Sequence, residues 1–311
     1  MNNRLSAMKV LKIIYGHIPF KKQLFTVLRL LPLPERIYRH LHFRGRYTCR
    51  FGSKQQFKIY HWGNQVENDL FWAAYGNHWE ATSLRVWAAM CARADVVFDI
   101  GANTGVYALA AQAINPSAKI FAFKPVERVF QKLRVNAQLN DEKISVQQLA
   151  VSNFSGEIEI YDANTEHVYS ASVRPDLLSK SIPEKDLICT RVPSIRMDDF
   201  FKKEAISTEN KIIVKIDVEM HEPEVFEGFG KAISEYRPIF LVEVLSRKLG
   251  NKISEILEPL SYVYFSIEES LAVERVRELG LLDRNYLAIP VEHPFIHELE
   301  KSKKHSDWRL G

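Results

Sequence analysis

The 311 residues suffice for one enlarged α/β domain with a terminal extension, or for two domains, and a 46% apolar content argues against a disordered or low-complexity chain. The net charge of +4 hides an asymmetry: residues 1 to 50 carry 11 Lys or Arg and one acid, Glu35, whereas the remainder carries 31 basic and 37 acidic side chains. Basicity therefore belongs to the N-terminal segment, and Cys49, Cys91 and Cys189, odd in number and widely spaced, argue against a disulfide framework or a structural zinc site.

In chain order, residues 1 to about 50 read as short helical pieces. Leu5, Met8, Leu11 and Ile14 share one face beside Lys9 and Lys12, and Pro19, Pro32 and Pro34 interrupt the pattern. Two readings stand open: a helical cap packed on the main domain, or a peripheral helix with its apolar face in an anionic membrane and its Lys and Arg against the headgroups. No aromatic residues are interleaved there as a stacking platform, so nucleic acid is not the expected partner. No apolar run reaches the roughly 18 to 20 residues that span a bilayer, and the first residues lack a signal-peptide layout. A cytoplasmic protein is expected, with peripheral membrane contact through residues 1–50 as the alternative.

From about residue 85 strands and helices alternate, the pattern of a parallel sheet covered on both faces. Val96 to Ile100 is a short apolar run leading into a small-residue helix over 105 to 114, which Asn115-Pro116 stops. Ile120 to Phe123 predicts a second strand, a helix opens at Pro125 and runs to about Asn140, and Ile144 to Leu149 predicts a third strand. Residues 152 to 195 break the alternation with turn residues and the alternating strand Glu157 to Tyr161, which predicts an insertion near the ligand edge. Ile212 to Ile216, Ile239 to Val244, Tyr262 to Ile267 and Asn285 to Pro290 then complete a seven-stranded, mostly parallel α/β sheet. The expected organisation is a basic, mainly helical extension over 1–84, the sheet domain over 85–291, and a partly helical tail over 292–311.

The strongest local signal is Asp99-Ile-Gly-Ala-Asn-Thr-Gly105. Gly101 permits a turn closed to other residues, and Gly105 lets the following helix approach the sheet. The spacing lacks the Gly-x-Gly-x-x-Gly that seats a pyrophosphate on a helix N-terminus, so a cofactor bound without phosphates fits better. An ordinary strand-turn-helix connection is the plain alternative. In open α/β sheets ligands sit outside the carboxyl ends of the strands, where Asp99, Lys124, Asp217 and Glu243 all fall.

Asp217-Val-Glu219-Met-His221-Glu222 gathers three carboxylates and an imidazole in six residues. A hydroxyl that attacks an electrophile must lose its proton, and a base poised near neutral pH, such as His221, can accept it. Two other readings are open: Glu222 and Glu224 as helix N-terminal acids with His221 as a cap, and a divalent metal on Asp217 and Glu219. Glu166 and His167, in the insertion, carry a weaker signal.

Taken jointly, Asp-Ile-Gly-Ala-Asn-Thr-Gly at 99–105, Phe-Lys-Pro at 123–125, Lys-Ile-Asp-Val-Glu at 215–219 followed by His221-Glu222, and Phe-Leu-Val-Glu-Val at 240–244 resemble the FkbM-type methyltransferases in order and spacing. The resemblance covers about 80 to 290. It implies the Rossmann-like class I methyltransferase fold, S-adenosylmethionine as cofactor, and O-methylation of a small-molecule, sugar or glycan hydroxyl. By position, Asp99, Gly101, Asn103, Thr104 and Gly105 would line the cofactor together with Lys124 and Val151, and Asp217, Glu219, His221 and Glu222 would face the reaction centre. Glu80, ahead of the first motif, resembles a family acid near the methionine end. Two positions depart: Lys124 stands where the family carries an acid that accepts from both ribose hydroxyls, and Met220 where it usually carries Gly.

Overall fold

The computed structural model describes residues 19–51, 55–73, 79–163, 171–173, 186–269, 272–282 and 284–301. The expected amphipathic face from Leu5 to Ile14 and the candidates Glu166 and His167 lie outside them. The N-terminal segment comprises α1 (Lys21–Leu28), α2 (Glu35–Tyr38), β1 (Gly45–Phe51), β2 (Gln55–His61) and α3 (Gln65–Ala73). Helices recur along the segment, and the hairpin adds two strands that the helical reading did not include. Tyr47 and Cys49 on β1, and Phe57 and Ile59 on β2, are buried while Thr48 and Lys58 are exposed, a period of two that a sheet satisfies and a helix does not. Phe25, Phe43 and Phe71 of this segment join Trp87, Val97, Leu109 and Leu241 in one apolar cluster, so the extension is continuous with the main core.

That core is built on an eight-stranded sheet. Helix α4 (Ala81–Cys91) leads to β3 (Val96–Ile100), α5 (Val106–Ile114), β4 (Lys119–Phe123), α6 (Glu127–Gln138) and β5 (Ile144–Gln147). After the insertion come β10 (Ile212–Ile216), β11 (Ile239–Val244), β12 (Tyr262–Glu268), β13 (Ala272–Val276) and β14 (Arg284–Pro290), the strands β6 to β9 belonging to the insertion itself. The order is β13-β12-β14-β11-β10-β3-β4-β5. Neighbours from β11 through β5 are parallel, and β14 is antiparallel to both β11 and β12. This is the expected mostly parallel sheet plus one edge strand, β13, whose half-exposed residues give little apolar signal. The order reverses between β3 and β10, where an open α/β sheet forms its ligand crevice.

Alternation along β3 divides the core. Val97 faces the cluster that holds α4, α5 and the N-terminal segment. Phe98 faces the opposite cluster with Phe121 and Phe123, against Phe200 and Phe201 of α7 (Met197–Lys203) and Phe226 of α8 (Glu222–Phe229). Helices α9 (Ala232–Tyr236) and α10 (Arg247–Leu257) pack on this second face, and α11 (Phe295–Lys301) closes the first.

The insertion forms its own sheet of β6 (Ala150–Val151), β7 (Gly156–Ala163), β8 (Ala171–Ser172) and β9 (Leu187–Ile195), in the order β6-β9-β7-β8. Two contacts fasten it at the carboxyl ends of the parallel strands. Arg128 of α6 donates to both carboxylate oxygens of Asp162, and the Ser172 hydroxyl donates to the Glu219 carbonyl at 2.9 Å.

Candidate active site

The turn after β3 is interlocked with the end of β10. Asp217 N–H donates to the Ile100 carbonyl at 3.0 Å, and Gly101 and Ala102 N–H groups both donate to Phe123 O, so the ends of three strands are tied together. Gly101 has φ +89°, and a Cβ there would stand 1.7 Å from the Asp217 carbonyl oxygen; only glycine allows this approach. Gly105 has φ +98°, with the Leu133 side chain 2.7 Å from where its Cβ would be. Asn103, at φ +50°, completes the turn, and its buried side-chain oxygen has no hydrogen-bond partner among the described residues. Thr104 is buried and its carbonyl accepts from Asn136 at 2.8 Å, so its role in this structure is to fasten the turn to α6.

A cavity of about 50 Å³ lies at these strand ends, and Gly101, Lys124, Val151, Asp217, Glu219 and His221 all line it. The structure thus gathers six candidates from four separate stretches of sequence. Ligand-enclosing pockets are usually about 300 to 1,000 Å³, so admitting a nucleoside requires side chains such as Lys124 to swing aside.

Beside the cavity is a group of charges that the sequence only half announced. Lys215, buried within β10, places Nζ 3.0 Å from Asp217 Oδ2 and 4.6 Å from the centre of the Tyr107 ring. The Tyr107 hydroxyl donates to Glu80 Oε2. Asp99, cross-strand from Lys215, accepts from the Ala108 N–H at 3.0 Å and is itself buried, so it anchors α5 to β3. Burial lowers the Lys215 pKa, but Asp217, Glu80, Asp99 and Glu243 more than offset it and hold the value above the ordinary one. Burial, opposed by Lys215, pushes Glu80 up to about 7 and Asp99 up to about 6. Burial and the neighbouring Asp217 push Glu243 up to about 9. Asp217 goes the other way: burial raises it, and the Lys215 ion pair more than offsets that. Four carboxyl groups thus surround one ammonium, and burial holds three of them above their ordinary values.

Lys124 is the opposite case. It is buried just past β4, and burial lowers its pKa despite Glu219, Asp217 and Asp162 nearby. An ammonium has donors and no acceptor, so it cannot accept from a pair of ribose hydroxyls.

The Asp217 to Glu222 segment divides by role. Glu222 is wholly buried and its Oε1 accepts from Val218 N–H at 3.1 Å and Met220 N–H at 3.2 Å. In this structure Glu222, expected to face the reaction centre, clamps the loop through these two backbone amides. Glu219 and Met220 occupy left-handed backbone, φ +56° and +76°, which explains why glycine suits position 220. His221 opens α8 with Nε2 3.0 Å from Ser152 Oγ and Nδ1 3.5 Å from Glu224 Oε2, and burial lowers its pKa below 6.5, partly opposed by Glu224. Among the described residues no three His, Cys, Asp or Glu side chains gather to hold a metal ion, so the Asp217 and Glu219 metal reading lacks a third ligand there.

Sequence reasoning gave no role to Lys215, Tyr107 or Ser152, and read Glu224 as a helix N-terminal acid without linking it to the His221 ring. Lys215 left a trace, a lone ammonium inside the buried run Ile212-Ile-Val-Lys-Ile. Ser152 left none, since its pairing with His221 crosses 69 residues.

A family model described as the methyltransferase FkbM domain matches residues 99–267. The 31-O-demethyl-FK506 methyltransferase FkbM of Streptomyces tacrolimicus is 30% identical over 155 residues, 43% of this chain and 59% of that protein. The hexuronic acid methyltransferase AglP of Haloferax volcanii is 27% identical over 143 residues, 45% of this chain and 52% of that one. The matched stretches therefore span little more than half of these relatives. Among solved structures, a methyltransferase FkbM from Methylobacillus flagellatus superposes over 63% of this chain and 44% of its own, at 15% identity and a TM-score of 0.40.

Proposed function

The chain belongs to the methyltransferase FkbM domain family and has the class I methyltransferase fold, and from that premise we propose that it transfers a methyl group from S-adenosylmethionine to a hydroxyl of a small molecule, sugar or glycan. The observation that carries this reading is the interlock of Gly101 with Asp217, which brings the glycine turn, Glu219 and His221 to one cavity at the sheet's switch point. The two curated relatives are named for a demethylated FK506 and a hexuronic acid.

The residues present fit such a cofactor at one end and depart from it at the other. The carboxyl surplus of Glu80, Asp99, Asp217 and Glu243 around Lys215 suits a ligand carrying ammonium and sulfonium charge. Gly101, Asn103, Gly105 and Val151 would bound it, and Glu80 and Asp217 would hold its cationic end. When bound, the cofactor supplies an electrophilic methyl group. His221, neutral near pH 7, accepts the acceptor's hydroxyl proton, and Glu224 at Nδ1 stabilises the imidazolium that results. Lys124 is the departure, and it favours a second reading, a methyltransferase-like scaffold with impaired catalysis.

Calorimetry with S-adenosylhomocysteine separates the two: binding is expected, and no heat at millimolar ligand would remove the enzyme reading. In Lys124→Glu the restored acceptor should tighten that binding by roughly tenfold to a hundredfold, the equivalent of about 1.5 to 3 kcal/mol for a charge-assisted contact. Unchanged affinity would show that Lys124 is not the defect.

A further inference from the structure

Helix α1 and its exit leave a ridge of large apolar side chains in solvent: Phe20 is 74% exposed, Val27 64% and Leu30 82%, with Leu24 and Leu31 also exposed. The same helix is anchored from another side, where Phe25 is buried against Phe43 and Trp72. The ridge is therefore held rigidly outward by a packed helix.

Next to the ridge runs a basic groove of about 650 Å³ between α1, the β1–β2 hairpin and the end of α6. Lys22, Thr26 and Arg29, spaced i, i+4 and i+7, form one wall. Arg46 and Lys58 stand on the hairpin side, and Asp141 is the acid among the lining residues. None of Lys22, Arg29, Arg46 and Lys58 is ion-paired among the described residues. Arg29 is half-buried with its guanidinium 4.6 Å from the Phe71 ring centre, and burial lowers its pKa. Residues 19–50 contain eight Lys or Arg and Glu35 as their acid.

We infer that the α1 ridge and the adjoining basic groove form a docking surface for an anionic lipid bilayer. A bilayer offers acyl chains and phosphate headgroups a few ångströms apart, which matches apolar side chains beside uncompensated cations. Neither feature suffices alone, because stable peripheral attachment takes an apolar and an electrostatic contribution together. No helix among the described residues is long and apolar enough to cross a membrane. The surface shares no residue with the cavity at Gly101, and its failure would leave cofactor binding as it stands.

Flotation of the full chain with vesicles of phosphatidylcholine, alone or mixed with phosphatidylserine, tests the inference. Partition onto the mixed vesicles is expected, weakening as salt is raised. Lys22→Glu with Lys58→Glu should lower it by roughly tenfold or more. Leu24→Ser, Val27→Ser and Leu31→Ser together should abolish what survives at high salt, with melting temperature unchanged because these side chains are exposed. Equal partition onto both vesicle types, or none, overturns the inference. So does a chain whose dimers in light scattering are dissolved by the ridge variant while neither form floats, since the ridge then serves a second copy.

Discussion

Lys215, on β10, and Lys124, just past β4, are both buried beside β3, and burial lowers the pKa of both, yet their net shifts run in opposite directions. Four carboxyl groups surround Lys215, whereas two of the three near Lys124 are engaged elsewhere. Asp162 is held by Arg128, and Asp217 by Lys215 itself. A buried ammonium keeps its charge where it is the main counter-ion of the carboxyl groups around it. Lys215 is thus the structural keystone of the site, and Lys124 is the side chain whose position a ligand can contest.

The largest expected effect breaks that contrast outright. Lys215→Met leaves Glu80, Asp99, Asp217 and Glu243 without their cation and should destabilise the protein by about 3 to 5 kcal/mol, the range for removing one partner of a buried ion pair. Lys124→Met, which deletes a charge that burial already disfavours, should cost about 1 kcal/mol or less. Urea unfolding of the two variants measures both; equal losses would mean that Lys124 is as deeply compensated as Lys215.

The same contrast explains what could be read from the sequence. The strands β3, β10 and β11 were legible with their limits because each is a short apolar run between turn residues. The convergence of Gly101, Lys124, Asp217 and His221 was legible because strand ends in an open sheet share an edge. What stayed hidden depends on contacts across sequence. The β1–β2 hairpin was masked by a basic segment that reads as helix in pieces. Glu222 looks catalytic beside His221, and nothing in its neighbours reveals that it turns inward to two backbone amides. Lys215 reads as a motif letter until its four carboxyl neighbours arrive from the start of α4, from β3, from just past β10 and from β11.

Glu243 sharpens the comparison through pH. Its pKa is raised from 4.5 to about 9 by burial and by Asp217, so the native state keeps a proton that the unfolded chain has already released. That linkage is destabilising as pH rises: stability is greatest below the unfolded value and falls across the window from about pH 5 to pH 9, by at most about 1.4 kcal/mol per unit for one proton. Glu243→Gln removes this proton from the balance, and its melting temperature should fall less steeply than the wild type's between pH 7 and pH 9, a window taken from the raised value. Parallel profiles would place the excess proton elsewhere in the cluster.

The smallest effect concerns how Glu219, the foremost attraction on Lys124, is held in place. Glu219 and Met220 both adopt left-handed backbone, fixed by the Glu222 clamp and by Ser172 on the Glu219 carbonyl. A side chain there costs about 1 to 2 kcal/mol, part of which glycine returns as extra freedom in the unfolded chain. Met220→Gly and Met220→Ala both lose the same packing against the second core cluster, so their difference isolates the backbone strain. The glycine variant should be the more stable by about 1 kcal/mol. If alanine is equal or better, the turn is not strained at 220, and the clamp at Glu222 merely holds a conformation the chain already prefers.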